Sequence, residues 1–195
     1  PMEEAFSQQL KEEELELPAG QFALFMNSMY AVDAYVRDYF RKAALDALLA
    51  EKLPVTVFGE GWEKYSCGDE HSLRREPAVP FALSFERIAK AHVLLNVSPI
   101  FNRGMHDRVP AGMANRAVVL TDENPYLRRT FTDGKELLFY SLEKPDTLCE
   151  QAERTLTDVR LREKIAASAY ETFEREYTWK RRAEQILAFA EEVEA

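Results

Sequence analysis

Short runs of strand-forming residues, each followed by a turn and then by residues at helical spacing, constrain this chain more than any other feature. Val55–Phe58, His92–Val97, Ala117–Thr121 and Leu137–Tyr140 are such runs. Leu83–Lys90 and Met105–Asn115 read as the helices between them, and Tyr126–Thr130 as a helical turn. A strand that is apolar nearly throughout has to be covered on both faces, and its alternation with helices calls for parallel pairing. The pattern predicts an α/β fold, a Rossmann-like doubly wound parallel sheet. Pro145 sets a helix start running toward Leu156, and helices over 158–175 and 179–194 make a helical C-terminal tail. Trp179, opening the last of these beside Lys180, Arg181 and Arg182, is expected to anchor that tail to the sheet.

Ahead of the first strand, Val32, Tyr35, Val36, Tyr39, Phe40, Ala43 and Ala47 recur at three- and four-residue steps and predict one apolar helix face. The short apolar run Phe22–Met26 reads as a buried strand. Residues 1–20 are expected to form an acidic helical arm or linker, with a solvated cluster at Glu12–Glu14, and residues 21–195 one Rossmann-like domain. The chain is expected to be a piece of a longer, two-domain protein, because 195 residues hold one such domain but no interdomain cleft.

In an open parallel sheet, ligands lie beyond the carboxyl ends of the strands. Three loops occupy that position. The first is Gly59-Glu60-Gly61-Trp62, where glycines let backbone approach a ligand. The second runs from Asn96 through Ser98, Phe101, Asn102, Gly104, Met105, His106, Asp107 and Arg108 into a helix. The third holds Asp122 and Asn124. A helix start supplies free amides and partial positive charge for a diphosphate, and Arg103 or Arg108 could add a guanidinium fork. Asp107 would either cap the helix or accept from a sugar hydroxyl. These residues also fit an arrangement without a ligand, with Asp107 as the cap, Arg108 as its ion-pair partner and Trp62 as a packing anchor.

Charge and composition remove several classes. With 25 basic and 34 acidic residues the formal charge is −9, which opposes broad nucleic-acid binding. Apolar runs are too short for a membrane span, and the Glu-rich start is unlike a signal peptide. Two distant cysteines, Cys67 and Cys149, suit free thiols and a cytoplasmic location. His71 and His92 have no ligand-spaced companions, so no metal site is expected. The glycine signatures of nucleotide-hydrolysing P-loops and of dinucleotide enzymes are missing.

Several stretches resemble a family. Pro54-Val55-Thr56-Val57-Phe58-Gly59-Glu60-Gly61-Trp62, Ala89–Val97, Gly104-Met105-His106-Asp107-Arg108-Val109, Met113-Ala114-Asn115 and Ala117–Asp122 are similar to the C-terminal domain of bacterial group 1 glycosyltransferases of the spore-maturation (CgeB-like) type. So is Tyr177-Thr178-Trp179 with Arg182-Ala183. The resemblance spans about Phe22 to Leu187. It implies a GT-B enzyme, with two Rossmann-like domains and the active site between them. This chain would be the half that binds a nucleoside diphosphate sugar, with Gly59, Gly61, Trp62, Asn96, Ser98, Phe101 and Asn102 around the donor. Gly104–Arg108 would hold its diphosphate, and Asp122 and Asn124 its sugar or ribose. It further implies hexosyl transfer to an unidentified acceptor held by an N-terminal domain, without cofactor or metal. The better-known retaining relatives carry two Glu residues where Arg103 and Ala111 stand here, so no catalytic residue is assigned. Many relatives have Gly where Arg116 follows Asn115. Both departures also suit a non-catalytic interaction or scaffolding domain of the same fold; a nucleotide-sugar epimerase would need acid and base residues that are not visible.

Overall fold

Hydrogen bonding sorts the strands of this protein, seen in a computed structural model that describes residues 2–194, into two parallel groups. β1 (Val55–Phe58) pairs with β2 (Leu73–Glu76), in register Val55 with Leu73. β4 (Val118–Asp122) lies between β3 (Val93–Asn96) and β5 (Leu138–Tyr140), with Asn96 opposite Thr121 and Asp122 opposite Tyr140. Nine α-helices are described: α1 (Met2–Glu12), α2 (Ala19–Ser28), α3 (Tyr30–Ala50), α4 (Phe81–Ile88), α5 (Arg108–Ala114), α6 (Pro125–Thr130), α7 (Pro145–Thr157), α8 (Val159–Glu176) and α9 (Trp179–Glu194). Between the strands, a short 3-10 turn covers Trp62–Lys64.

Every residue of β4 is buried, and the period-two alternation sends its side chains to two different layers. Val118 and Leu120 join Leu138 and Tyr140 against Ala44 and Leu48 of α3 and Leu148 and Ala152 of α7. Val119 joins Phe139 against Val109 and Met113 of α5 and Ala169 of α8. The three-stranded sheet is thus covered on both faces, as continuous apolar strands require. Helix α3 joins the two strand groups: Ala44 and Leu48 enter the first layer, while Leu45 and Leu49 pack with Leu73, Val55 and Trp62. The α/β architecture with parallel strands and a helical C-terminal region therefore matches the alternation in the sequence.

Four expectations are corrected. Phe22–Met26 is helical, inside α2, where no residue is buried; five apolar residues are too few for periodicity to separate strand from helix. In α3 the buried positions are Ala44, Leu45, Leu48 and Leu49, whereas Val32, Tyr35 and Tyr39 are exposed, because the sheets meet only the second half of the helix. Trp179 is 90% exposed and anchors nothing to the sheet; the contact near it is Arg182 over the ring of Tyr177. Helix α5 begins at Arg108, not Met105, because the His106 ring nitrogen already accepts the Arg108 amide at 3.2 Å.

At the end of α5, Arg116 takes a left-handed backbone, φ 58°. Its amide bonds Met113 O at 3.3 Å, and the Ala117 amide bonds Gly112 O at 3.0 Å, the paired closure that favours Gly at this position. The guanidinium lies over the Tyr170 ring, 3.9 Å from its centroid. An arginine here costs about 1 kcal/mol in backbone strain, and an exposed cation–π contact returns about 0.5–1 kcal/mol. Arg116→Ala keeps the strain and loses the contact, so it should lower stability by about 0.5–1 kcal/mol. Arg116→Gly loses both and should stay within about 0.5 kcal/mol of the parent. Thermal unfolding of the three proteins would reject this account if Ala were the most stable.

Candidate functional site

The carboxyl ends of β3, β4 and β5 share one polar network. Asn96, at the end of β3 and 1% exposed, donates from its amide to Thr121 Oγ1 at 2.9 Å. Its side-chain oxygen accepts from Ser98 Oγ at 3.2 Å and from Arg108 Nε at 2.9 Å, and its backbone oxygen accepts the Tyr140 hydroxyl at 3.1 Å. Asp122, 2% exposed, accepts the Ser98 amide at 2.7 Å. Asn96, Ser98, Arg108 and Asp122 are therefore brought together as the loop reading anticipated. Thr121 and Tyr140 were not expected there. Tyr140 ends an apolar run, and its hydroxyl acts only because that end is the carboxyl end.

A second set of bonds shapes the loop between β3 and α5. The Asn124 amide donates to Phe101 O at 2.9 Å and Gly104 O at 3.3 Å, while its oxygen caps α6 by accepting the Leu127 amide at 2.7 Å. At Gly104 a Cβ would stand 3.0 Å from the ring of Phe101, which is exposed, so a side chain there would press the ring outward. Met105 packs into the layer of Val109 and Met113, and Asn102 is exposed. Arg103 is exposed and pairs with Glu4 of α1, at 2.8 Å. Asp107 holds the N-cap position of α5 but its side chain makes no capping bond; it contacts His106 instead.

Gly59 and Gly61 turn the chain after β1 with φ 123° and 89°, a conformation that favours glycine. Trp62 donates from its indole to Phe58 O at 3.3 Å, meets Tyr65 edge-on and packs beside Leu45, Leu49 and Leu73. No hydrogen bond among the described residues joins this turn to the network at β3–β5. A cavity of about 450 Å³ lies elsewhere, lined by Asp46, Leu49, Ala50, Lys52, Cys67, Gly68 and Asp69.

Burial sets the electrostatics at the strand ends. It raises the Asp122 carboxyl to about 6, against the partial relief of the Ser98 amide bond and Arg108. Arg108 loses proton affinity mainly to burial and next to the charge of Arg41, opposed by Asp107 and Asp122. His106 is held below its usual range by burial, Arg108 and Arg41, opposed by Asp107. Burial and Asp122 raise the Tyr140 hydroxyl, so it stays a donor. The Arg108 guanidinium, half-buried, is hydrogen-bonded to neutral oxygens, those of Asn96 and Val97. A guanidinium so placed retains donors for an anion. Among the described residues no cluster of three or more His, Cys, Asp or Glu is arranged to hold a metal ion, and no helix is long and apolar enough to cross a membrane.

A protein-family model described as glycosyl transferase-like matches residues 37–188. No curated protein matches the sequence. Among solved structures, the chain is similar to Anabaena Alr3699/HepE in complex with UDP-glucose, with a TM-score of 0.62 at 12% identity. The same protein in complex with UDP gives 0.64. In both, the likeness covers 79% of this chain and 44% of the Anabaena chain. The chain thus spans less than half of those relatives, and at that identity the likeness shows the fold.

Proposed function

We propose that this chain, which belongs to the glycosyl transferase-like family, binds the diphosphate of a nucleoside diphosphate sugar at the carboxyl ends of β3–β5. The observation that carries the reading is Arg108: a half-buried guanidinium at the strand ends, hydrogen-bonded to neutral oxygens. Desolvation strengthens its attraction for a phosphate anion, and the loop from Ser98 to Asp107 lies beside it. That Anabaena HepE takes UDP-glucose on the same fold supports a nucleotide-sugar donor.

Within this reading the chain is the donor half of a GT-B enzyme of the spore-maturation (CgeB-like) group, acting in the cytoplasm. An N-terminal domain of a longer protein holds the acceptor and supplies any catalytic base. Departure of the diphosphate would be stabilised by guanidinium and backbone amides in place of a metal ion. Gly59, Gly61 and the 98–104 loop would border the donor, and Asp122 and Asn124 would act through the loop they tie down.

Calorimetric titration with UDP, GDP and their sugar conjugates tests this. One nucleotide should bind saturably, and Arg108→Ala should weaken it about ten-fold, the value of a charge-assisted contact. Arg108→Lys, which keeps the charge, should recover part of the loss, and circular dichroism checks that each variant is folded. Absence of binding to every nucleotide would sink the donor reading and leave the scaffolding role.

A further inference from the structure

Helix α3 ends at Ala50 and β1 begins at Val55, so the helix runs back over the sheets against the strand direction. Leu49 packs beside Val55 and Leu73, where β1 and β2 start. Earlier residues of α3 therefore lie toward the carboxyl ends. Phe40, Ala43 and Ala44 line a small cavity with Tyr140, Ser141 and Leu142, level with the end of β5. Arg41 lies three and four residues before Ala44 and Leu45, on the same buried stripe of the helix. At 1.5 Å per residue it stands about 10 Å nearer the strand ends than Leu48.

Arg41 is half-buried, and its ion-pair partner is Asp38 of its own helix, at 3.6 Å and 76% exposed. Its charge acts on both Arg108 and His106. With α3 alongside Tyr140 and Ser141 at the end of β5, two guanidiniums and an imidazole lie near enough for the charge of Arg41 to act on the other two. The titratable groups that face them are Asp107, 69% exposed, the buried Asp122 and the Tyr140 hydroxyl. Bringing like charges together in a partly desolvated place costs free energy that a multivalent anion offsets.

We propose that Arg41, contributed by the helix that precedes the sheet, is a third basic group of a pyrophosphate-binding site with Arg108 and His106. This rests on the donor reading and assigns part of its diphosphate contact to an element outside the strand-end loops. Its position on a different element from Arg108 lets the two guanidiniums approach the anion from different sides, which fixes orientation as well as affinity.

Titration with inorganic pyrophosphate, UDP and uridine separates the two claims. Arg41→Ala should weaken pyrophosphate and UDP about ten-fold, with Arg41→Lys intermediate and the unfolding temperature little changed. Uridine, lacking phosphate, should bind the parent and Arg41→Ala alike. Unchanged pyrophosphate and UDP affinity in Arg41→Ala overturns the Arg41 assignment and leaves the donor reading standing. Arg41-dependent pyrophosphate binding, with no tighter binding of any nucleoside diphosphate, upholds the Arg41 site and removes the donor reading. Failure of the parent protein to bind pyrophosphate, UDP and GDP alike overturns both.

Discussion

Asp122→Asn should raise the stability of the protein at pH 8 and leave it nearly unchanged at pH 4. Burial holds the Asp122 carboxyl at about 6, above its ordinary 3.8. A raised carboxyl keeps its proton in the folded state when the unfolded chain has already released it. Stability from this group is therefore present at low pH and is lost as the pH rises from about 4 through about 6. The separation of those two values corresponds to about 3 kcal/mol, an upper figure for an isolated group. Asparagine retains an acceptor for the Ser98 amide, now at 2.7 Å, so the exchange isolates the charge. Denaturant unfolding of parent and variant at pH 4, 6 and 8 would show the gap opening with pH; a gap that stays constant would sink the explanation.

Gly112→Ala should cost about 2 kcal/mol, and Gly112→Val more than 3 kcal/mol, through overpacking. Gly112 lies on the face of α5 that meets β3 and β4. A Cβ there would stand 2.5 Å from Val119 Cγ2 and 3.0 Å from Leu94 Cδ2. Val119 is fully buried in the central strand, and its β-branched side chain is stiff at χ1. Alanine is otherwise favoured over glycine in a helix by about 1 kcal/mol, so the sign of the change decides whether contact or propensity wins. Trimming Val119 to Ala should soften the effect of Gly112→Ala, a coupling that a double-mutant cycle reads directly. Arg108 lies four residues earlier on the same short helix, so a shift of α5 would also displace the guanidinium proposed to hold the diphosphate.

Much of the sheet is legible because its strands are short apolar runs set between helical patterns, the first of them bounded by Pro54 and Gly59. Val55–Phe58 was placed to the residue, and Pro145 marked the first turn of α7. β2 went unseen: Leu73-Arg74-Arg75-Glu76 has one buried apolar residue, and its remaining side chains are polar. Arg75 there bonds Glu70 and the carbonyls of Trp62 and Tyr65, tying down the loop after β1, and no spacing rule announces such a clasp. Trp179 was misjudged because size was taken for burial, whereas only packing partners decide burial.

At the strand ends, the rule that ligands lie beyond the carboxyl ends of strands singles out the loops, and with them Asn96, Ser98 and Arg108, which the fold ties into one network. That rule does not reach Tyr140, nor the Arg41 of the proposed pyrophosphate site, for opposite reasons. Tyr140 looks apolar in sequence and is polar through one buried hydroxyl. Arg41 looks like a solvated helix charge, and only the direction of α3 over the sheet carries it toward the strand ends.

The parallel pairing of every strand has a kinetic consequence. Val55 must find Leu73, Val93 must find Val118, and Leu120 must find Leu138 before the ladders can start. Among the described residues no tight hairpin joins two strands, and each ladder demands prior closure of a long loop. Contacts between sequence neighbours such as α7 and α8 close shorter loops than these ladders do, so the topology favours helices before strands and slow folding of the chain. While it waits, Val118–Leu120 and Leu137–Phe139 are bare apolar segments, and crowding or heat would expose the nascent chain to self-association through them before the native sheet closes.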